Sequence, residues 1–310
     1  MIPISGLSWQ GVHHPQGSHP QATVKTGETL IKAALLASLI LAVPQMAIAQ
    51  RVFDTHVHIW NGEASVRAYE AQLKETHQIA TRFAGILIAE RGNMAETRRK
   101  NDELIALAAK YPEMFPIASV HPYDDQAALD EVRRMAGKGV TMIKLHPHTQ
   151  KFAITDPRVA TLCQLAGQLG MIVLFDNANI VPGDSQDLFN LAINTPGTKF
   201  VFAHMGATNF RFWNTILFAR TAKDFYKDNI YFDISATVVL VMGSPIQSEF
   251  VWTIRNIGVD HIMLGSDYPQ FTLRRTVDAL ESLDLNRSEK DRILYETARK
   301  LLTPKVPDSG

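Results

Sequence analysis

Short apolar runs alternate with helix-forming segments from residue 51 onward, and this alternation constrains the fold more than any other feature of the sequence. Each run has five or six residues and is rich in β-branched and aromatic side chains, as buried strands are. The segments between the runs have helical periodicity; in 125–136, Ala128, Val132 and Met135 fall on one face. We predict eight strands, over 51–55, 83–88, 115–120, 140–145, 171–175, 199–203, 229–234 and 261–265.

Eight strand–helix units within about 250 residues are typical of a (β/α)₈ TIM barrel, an α/β fold. The strands are almost continuously apolar, as expected where both faces of a sheet are covered. The alternative is an open doubly wound sheet, but no Gly-x-Gly-x-x-Gly motif follows the first strand to bind a dinucleotide. We therefore predict one barrel domain over residues 50–310. Its helices are predicted over 101–110, 125–136, 156–169, 185–194, 210–226, 247–257, 273–283 and 287–302.

The first 49 residues have the pattern of a secretory leader. Residues 33–43 read AALLASLILAV, eleven apolar or small residues preceded by Lys32, and 47–49 (Ala-Ile-Ala) supply a small-x-small cleavage site. A membrane-spanning helix needs about 20 apolar residues, so this run is short for one. We predict a signal peptide cleaved near Ala49 and a secreted or periplasmic protein with no stable membrane insertion. An uncleaved anchor and a disordered leader are the alternatives.

Charge and cysteine content exclude several kinds of partner and site. The chain has 31 basic and 31 acidic residues, so there is no electrostatic basis for binding nucleic acid. Its one cysteine, Cys163, excludes an intramolecular disulfide and a cysteine-rich zinc module. We expect a small-molecule substrate. The predicted helix over 210–226 is unusually aromatic, which fits packing on the barrel or, alternatively, a homo-oligomer surface. Its aromatic residues are Phe210, Phe212, Trp213, Phe218, Phe225 and Tyr226.

Histidines collect at the predicted carboxyl ends of the strands, the end of a TIM barrel that carries the active site. His56 and His58 are two residues apart at the end of strand 1, so both imidazoles point to the same side and are able to chelate a divalent metal. Asp267 follows strand 8, next to strand 1 in a closed barrel, where it can bind the metal or accept a proton from an attacking water. Six of the eight histidines beyond residue 49 lie at strand ends: His56, His58, His121, His146, His148 and His204.

Other polar residues at the strand ends are candidates for substrate contacts. His204, after strand 6, can bond to the substrate carbonyl or move a proton. Lys144 and His146 on strand 4 should both point inward, and a buried lysine is costly unless paired, which favours binding of a substrate carboxylate. The remaining candidates, each open between substrate contact and ordinary loop polarity, are Glu90, His121, Asp176 with Asn177, and Asp233 with Ser235.

Four motifs together resemble the amidohydrolase superfamily: His56-x-His58, Lys144-x-His146-Pro147, His204-x-Gly206 and Gly265-Ser266-Asp267-Tyr268-Pro269. The sequence is most similar to the amidohydrolase-related branch that includes aminocarboxymuconate-semialdehyde decarboxylase. The resemblance covers roughly residues 51–302. It implies a distorted TIM barrel, often a zinc ion, and either hydrolysis or non-oxidative decarboxylation. The positions that match the family's functional residues are His56, His58, His204 and Asp267.

One position departs from that pattern. The family commonly has a metal-binding histidine at the end of strand 5, where this chain has Asp176. A carboxylate still binds zinc, so the resemblance implies a site of His56, His58, Asp267 and, as a fourth ligand, Asp176. The alternative is a weak or absent metal, as in lactonases similar to the family that use the strand-8 aspartate as base. We expect a divalent ion, Zn²⁺.

We predict a metal-dependent hydrolase in which water attacks the amide, ester or lactone carbonyl of a small, carboxylate-bearing substrate. Asp267 takes the proton and His204 positions the oxyanion. One alternative is a decarboxylase of an aromatic or muconate-type acid. Another is a catalytically inactive periplasmic ligand-binding barrel, which only Asp176 supports. The short segment over 59–82 favours hydrolysis, because decarboxylases of the family tend to carry an insert there. The predicted substrate-binding residues are Lys144, His146, His121 and Glu90.

Overall fold

The computed structural model describes residues 50–302. The predicted leader and residues 303–310 lie outside this range, so the signal peptide stays a prediction. Within it, eight parallel strands form one sheet in chain order. All eight predicted strands are present, and the (β/α)₈ TIM barrel is confirmed. The strands are β1 Phe53–His58, β2 Arg82–Ile86, β3 Met114–Ser119, β4 Met142–Leu145, β5 Ile172–Phe175, β6 Lys199–Phe202, β7 Ile230–Asp233 and β8 Ile262–Met263.

Backbone hydrogen bonds join the first strand to the last and close the barrel. Thr55 N donates to Leu264 O at 3.0 Å, and His58 N donates to Tyr268 O at 2.8 Å. The carboxyl ends of β1 and β8 therefore lie side by side, as predicted.

Helices and short turns return the chain from each strand to the next. Asn93, Asp156 and Thr272 begin three of these helices, because their side chains accept backbone N–H groups of the first turn. Within residues 50–302 no helix is long and apolar enough to cross a bilayer. The helices are α1 Glu63–Glu75, α2 Met94–Lys110, α3 Asp125–Gly137, α4 Pro147–Gln150, α5 Pro157–Gln168, α6 Asp184–Asn194, α7 Thr215–Ala219, α8 Thr237–Val241, α9 Gln247–Ile257, α10 Leu273–Ser282, α11 Arg287–Asp291 and α12 Thr297–Leu302, with 3₁₀ turns at Pro122–Asp124, Ala203–Asn214 and Val259–His261 and a π turn at Arg292–Glu296.

The prediction of one helix over 210–226 is wrong. After β6 the backbone runs through 3₁₀ turns, and only the short α7 follows as α-helix. The burial of the aromatic residues in this segment is set by tertiary packing and not by their position on one helix face. Phe210 and Trp213 are fully buried, whereas Phe218 is 80% exposed and Phe225 is 60% exposed. The homo-oligomer surface stays a prediction.

The interior of the barrel is apolar along most of its length. Alternate strand residues fill it, and Phe53, Ile117, Leu174 and Met263 are among these buried side chains. Polar residues replace them toward the carboxyl ends of the strands, where Asp176 lies two residues beyond Leu174. The fold therefore gathers the buried side chains of Asp176, His204, Asp233 and Asp267 at one end of the barrel.

Candidate active site

A cavity of about 410 Å³ opens at the carboxyl ends of the strands. The ends of β1, β4, β5, β6 and β8 and the loops after them form its wall, as expected for the active-site end of a TIM barrel. A larger cavity, about 580 Å³, lies between α1 and the start of β2, away from the converging strand ends. The residues that line the smaller cavity are His58, Trp60, His146, Thr149, Asp176, His204, Asp267, Pro269 and Gln270.

His56 is held in place by a buried carboxylate. Its Nδ1 lies 3.0 Å from Asp233 Oδ2, and both side chains are fully buried. A carboxylate only accepts, so Nδ1 donates, and in the neutral imidazole the lone pair is then on Nε2. Burial by itself would raise the pKa of Asp233, but His56 and His204 outweigh that effect and hold the pKa well below its usual range. Asp233 is therefore ionised.

His204 follows β6 with a left-handed backbone. Its φ is 59°, a conformation that non-glycine residues adopt rarely and that clusters at functional sites. Asp233 Oδ1 accepts its backbone N–H at 3.3 Å, and Thr237 Oγ1 donates to its carbonyl at 2.6 Å. Its Nδ1 donates to the Ser235 carbonyl at 3.1 Å. Its Nε2 faces the cavity, 3.2 Å from Asp176 Oδ1.

Asp267 presents its carboxylate to both histidines of β1. Its Oδ1 lies 3.2 Å from His58 Nε2 and 3.5 Å from His56 Nε2. Its backbone φ is 60°, also left-handed, and Asp54 braces the preceding residue by accepting Ser266 N at 2.7 Å. Burial by itself would raise the pKa of Asp267, but the hydrogen bond from His58 and the nearby histidines outweigh that effect and hold the pKa below its usual range.

These side chains form a candidate metal site. Ligand atoms of His56, His204 and Asp267 all lie within 4.8 Å of one another. Two imidazoles and a carboxylate suit zinc and manganese. The residues fit an ion, because the buried His56 Nε2 has no hydrogen-bond partner among residues 50–302 and faces a carboxylate oxygen. A cation between these two acceptors relieves the mismatch. Of the predicted ligands, His56 and Asp267 belong to this cluster, while His58 and Asp176 adjoin it.

A family model described as amidohydrolase matches residues 53–303. The chain belongs to the amidohydrolase family.

Solved structures with the same fold include 5-carboxyvanillate decarboxylase from Sphingomonas paucimobilis, at 14% identity and a TM-score of 0.62, over 82% of this chain and 99% of that chain. Dihydroxybenzoic acid decarboxylase from Polaromonas sp. JS666, with bound manganese and the inhibitor 2-nitroresorcinol, matches at 16% identity and a TM-score of 0.61, over 82% and 97%. An uncharacterised TIM-barrel protein from Bordetella bronchiseptica matches at 13% identity and a TM-score of 0.62, over 81% and 98%. At identities this low, the structural matches show a common fold and nothing more specific. No curated protein matches the chain in a sequence search.

In this amidohydrolase barrel, Asp176 pairs with two histidines. Its Oδ1 lies 3.2 Å from His204 Nε2 and 3.6 Å from His146 Nε2. Burial by itself would lower the pKa of His204, but the bond to Asp176 and the neighbouring carboxylates outweigh burial and raise it to about 9. The second ring proton of His204 and a metal ion both need the Nε2 lone pair, so they are alternatives.

Two other histidines of the amidohydrolase cavity are neutral near pH 7. Burial lowers the pKa of His58 and that of His146 to about 4. His146 Nδ1 accepts from Thr149 N at 3.4 Å, which leaves its Nε2–H as a donor to the cavity. Trp60, about half exposed, stacks on His58 with ring centroids 4.3 Å apart. Among the residues within 50–302 that line this cavity, Trp60 is the one tryptophan, tyrosine or phenylalanine.

Lys144 is fully buried and does not line the amidohydrolase cavity. Its Nζ has no hydrogen-bond partner among residues 50–302. Burial lowers the pKa of this amine, and the charges of Asp176, Asp233 and Asp267 oppose that shift. A direct contact between Lys144 and a substrate carboxylate stays a prediction.

Two further predicted substrate contacts lie outside the cavity wall. Both ring nitrogens of His121 bind backbone: Nε2 donates to Gln150 O at 2.6 Å, and Nδ1 accepts from Tyr123 N at 3.0 Å. Glu90 is exposed to solvent. Neither side chain lines the cavity, and their roles in substrate binding stay predictions.

The sequence alone does not single out Trp60, Thr149 or Gln270, although all three line the cavity. A signal exists for Trp60, which lies two residues after His58 and so points to the same side. From the sequence, Asp233 is either a residue that contacts substrate or an ordinary polar residue of a loop. In the folded amidohydrolase it contacts His56, which depends on how β7 and β1 are placed around the barrel.

Proposed function

We propose that this chain is a metal-dependent hydrolase that adds water to the carbonyl carbon of a small polar substrate, an amide, ester or lactone. One observation carries the proposal. The ligand atoms of His56, His204 and Asp267 lie within 4.8 Å of one another, and two of these residues also line the cavity. A site that joins a metal-binding cluster to an ionised carboxylate suits the activation of water.

The wall of the cavity supports a polar substrate. Seven of the nine lining residues are polar, and only Trp60 and Pro269 are apolar. A flat apolar ring that filled this space would leave several polar groups without partners, which costs about 1–3 kcal/mol for each. Amides, esters and lactones bring acceptors that such groups can bind.

In the proposed mechanism, His56, His204 and Asp267 hold the ion, Zn²⁺ in our proposal. When bound, it lowers the pKa of a water molecule and polarises the carbonyl. Asp267, whose pKa is low, accepts a proton from the attacking water. It returns that proton to the leaving nitrogen or oxygen as the bond to the carbonyl carbon breaks. His58 donates to Asp267 and so keeps the carboxylate in position.

His146 is placed to stabilise the oxyanion. Its Nε2–H, 3.6 Å from Asp176 Oδ1, can donate to the carbonyl oxygen as that oxygen gains negative charge, because its Nδ1 is occupied by Thr149 N. The predicted role of His204 in positioning the oxyanion is the alternative, and it requires that His204 Nε2 does not bind the ion. Gln270 and Thr149 lie in the same wall and offer further contacts to polar groups of the substrate.

Decarboxylation is the second candidate, and the solved structures favour it. The 5-carboxyvanillate and dihydroxybenzoic acid decarboxylases match this barrel over 99% and 97% of their chains. In that reaction the ring carbon gains a proton as the carbon–carbon bond breaks and CO₂ leaves, and Asp267 would have to carry that proton although its pKa is lowered. The ring of the acid would stack on Trp60, whose indole already stacks on His58.

The two candidates differ in whether water enters the product. Purified protein is supplied with Zn²⁺ or Mn²⁺ in ¹⁸O-water and offered lactones, esters and amides in one panel and hydroxybenzoic acids in another. We expect one ¹⁸O atom in the product of the first panel and no CO₂ from the second. Release of CO₂ with no ¹⁸O in the aromatic product would contradict hydrolysis and identify the reaction as decarboxylation.

We also propose export of the protein through the leader over residues 1–49. Expression in a Gram-negative host followed by cell fractionation tests it. We expect periplasmic protein whose first residue is Gln50. Full-length protein beginning at Met1 and confined to the cytoplasm would contradict the proposal.

A further inference from the structure

Asp233 contacts both histidines of the metal cluster, although it does not line the cavity. The side chain is fully buried. Its Oδ2 lies 3.0 Å from His56 Nδ1, and its Oδ1 accepts the backbone N–H of His204 at 3.3 Å. One carboxylate at the end of β7 thus connects the end of β1 to the loop after β6.

Ser235 extends this connection to the second imidazole ring. Its hydroxyl and its backbone N–H both donate to Asp233 Oδ1, the N–H at 3.0 Å. Since its proton is directed at the carboxylate, Ser235 Oγ can only accept from the ring nitrogens beside it. These are His204 Nδ1 at 3.0 Å and His56 Nδ1 at 3.3 Å. The groups around both Nδ1 atoms are therefore acceptors.

We propose that Asp233, acting directly on His56 and through Ser235 on His204, fixes the ring tautomers that create the metal site. His56 carries its ring proton on Nδ1 and turns the Nε2 lone pair toward Asp267. His204 also keeps a proton on Nδ1, and its Nε2 lone pair becomes available to an ion when the bond to Asp176 is given up. Carboxylates that orient metal-binding histidines in this way change metal affinity by about 10–100-fold when they are removed. Asp233 is a positioning residue, because it acts through the two histidines.

A second buried carboxylate provides a matched control. Asp54 is also fully buried, but it accepts from backbone N–H groups, Ser266 N at 2.7 Å and His56 N at 3.3 Å, and from Tyr69 Oη at 2.8 Å. It bonds to neither imidazole ring. Removing the charge of Asp54 perturbs the same end of the barrel but keeps the contacts of Asp233 that set the ring tautomers.

The experiment uses Asp233→Asn and Asp54→Asn in the full mature protein. An amide at the first position can donate to His56 Nδ1, which favours moving the ring proton to Nε2. We expect the affinity for Zn²⁺, measured by competition with a chromophoric chelator, to fall about 10–100-fold. We expect ¹⁵N NMR of histidine-labelled, chelator-dialysed protein to report the Nδ1–H tautomer of His56 in the wild type and the Nε2–H tautomer in Asp233→Asn. Asp54→Asn should keep the Nδ1–H tautomer.

Three results would overturn the inference. The first is an Nε2–H tautomer of His56 in the wild-type protein, which needs no variant to fold. The second is an unchanged Zn²⁺ affinity in a folded Asp233→Asn variant. The third is the same tautomer shift in Asp54→Asn, which would indicate general loosening. The inference rests on the metal site of the proposed function, yet the tautomer is read without metal. If the wild-type protein binds no Zn²⁺, the proposed function loses its metal. The tautomer of His56, measured without metal, would then still test the role of Asp233.

Discussion

The mouth of the barrel has two sides that carry similar polar residues and use them differently. We call the ends of β5–β8 and β1 the cluster side, and the ends of β2 and β3 together with Gln150, after β4, the backbone side. On the cluster side, the ligand atoms of His56, His204 and Asp267 lie within 4.8 Å of one another. On the backbone side, the polar side chains bind main-chain groups nearby.

Gln150 and His121 define the backbone side. Gln150 Nε2 donates to Ala89 O and Val120 O, both at 2.9 Å, and His121 Nε2 donates to Gln150 O at 2.6 Å. These bonds join the loop after β4 to the ends of β2 and β3. The polar groups are satisfied, so they have little left to offer a substrate.

The cluster side has the opposite character. His56 Nε2 has no hydrogen-bond partner among residues 50–302, and His204 and Asp267 both have left-handed backbones. Strained conformations and buried acceptors without donors both cost free energy. A polar residue at a strand end therefore indicates a site where a buried polar atom lacks a partner, as in His56, and not where backbone bonds use both ring nitrogens, as in His121.

The largest effect is expected for Asp267→Asn, which tests whether the cluster side carries the chemistry. The amide cannot accept the proton from water, so kcat/KM should fall about 10³-fold. Steady-state kinetics on a substrate from the panels above measure this. Asp184→Asn is the control, because Asp184 binds His148 at 2.7 Å outside the cavity, and it should change kcat/KM less than about threefold. A loss below tenfold for Asp267→Asn would separate Asp267 from catalysis.

The second largest effect is expected on metal content, and measuring it in variants shows which residues of the cluster side hold the ion. We expect about one equivalent of metal per wild-type chain by inductively coupled plasma mass spectrometry. His56→Ala should lose it, whereas Asp176→Ala should retain it, because Asp176 adjoins the three-atom cluster without belonging to it. Loss from Asp176→Ala and retention in His56→Ala would restore Asp176 as the decisive ligand. A wild type free of metal and activity would favour the inactive binding barrel.

Trp60 tests whether the wall beside the cluster side also selects the substrate. An aromatic stack contributes about 0.5–1.5 kcal/mol, so Trp60→Ala should raise KM about fivefold while kcat changes less. Trp60→Phe should restore most of the loss, because it preserves the stack on His58. Michaelis–Menten analysis of both variants measures the effect. Equal KM values for wild type and Trp60→Ala would exclude a contact with substrate.

The smallest kinetic effect is expected on the backbone side. His121→Ala removes two hydrogen bonds to backbone and should lower the free energy of unfolding by about 2 kcal/mol. Because His121 does not line the cavity, kcat/KM should change less than about threefold. Urea unfolding and kinetics give the two values, with Glu90→Ala as an exposed variant at the same end. A tenfold loss of kcat/KM at unchanged stability would make His121 a substrate contact, as the sequence predicts.

Parts of the candidate site could be read from the sequence because they follow from strand geometry. His56 and Asp267 are predicted neighbours since the first and last strands of a barrel adjoin. His204 is predicted at the mouth because it directly follows an apolar run. Its place in the metal cluster could not be predicted, because it depends on a left-handed backbone in a loop that propensity assigns no conformation.

Lys144 and Asp233 illustrate a second limit. Strand parity predicts that Lys144 points inward, but parity contains no information on depth, and the side chain lies outside the cavity wall. The contact between Asp233 and His56 joins residues 177 positions apart. A contact between residues so far apart in the chain depends on how the closed sheet places β7 and β1.

The amino-acid sequence specified the number and order of the strands, because runs buried on both faces must be almost wholly apolar. It also determined which end of the barrel carries the polar residues, because they follow the strands instead of preceding them. Folding then determined which of those residues keep an unpaired polar atom and which use their polar atoms in hydrogen bonds to the backbone. Hydrogen bonding and ring tautomers depend on distances of a few ångströms between strands remote in the chain, and those distances arise only when the barrel closes.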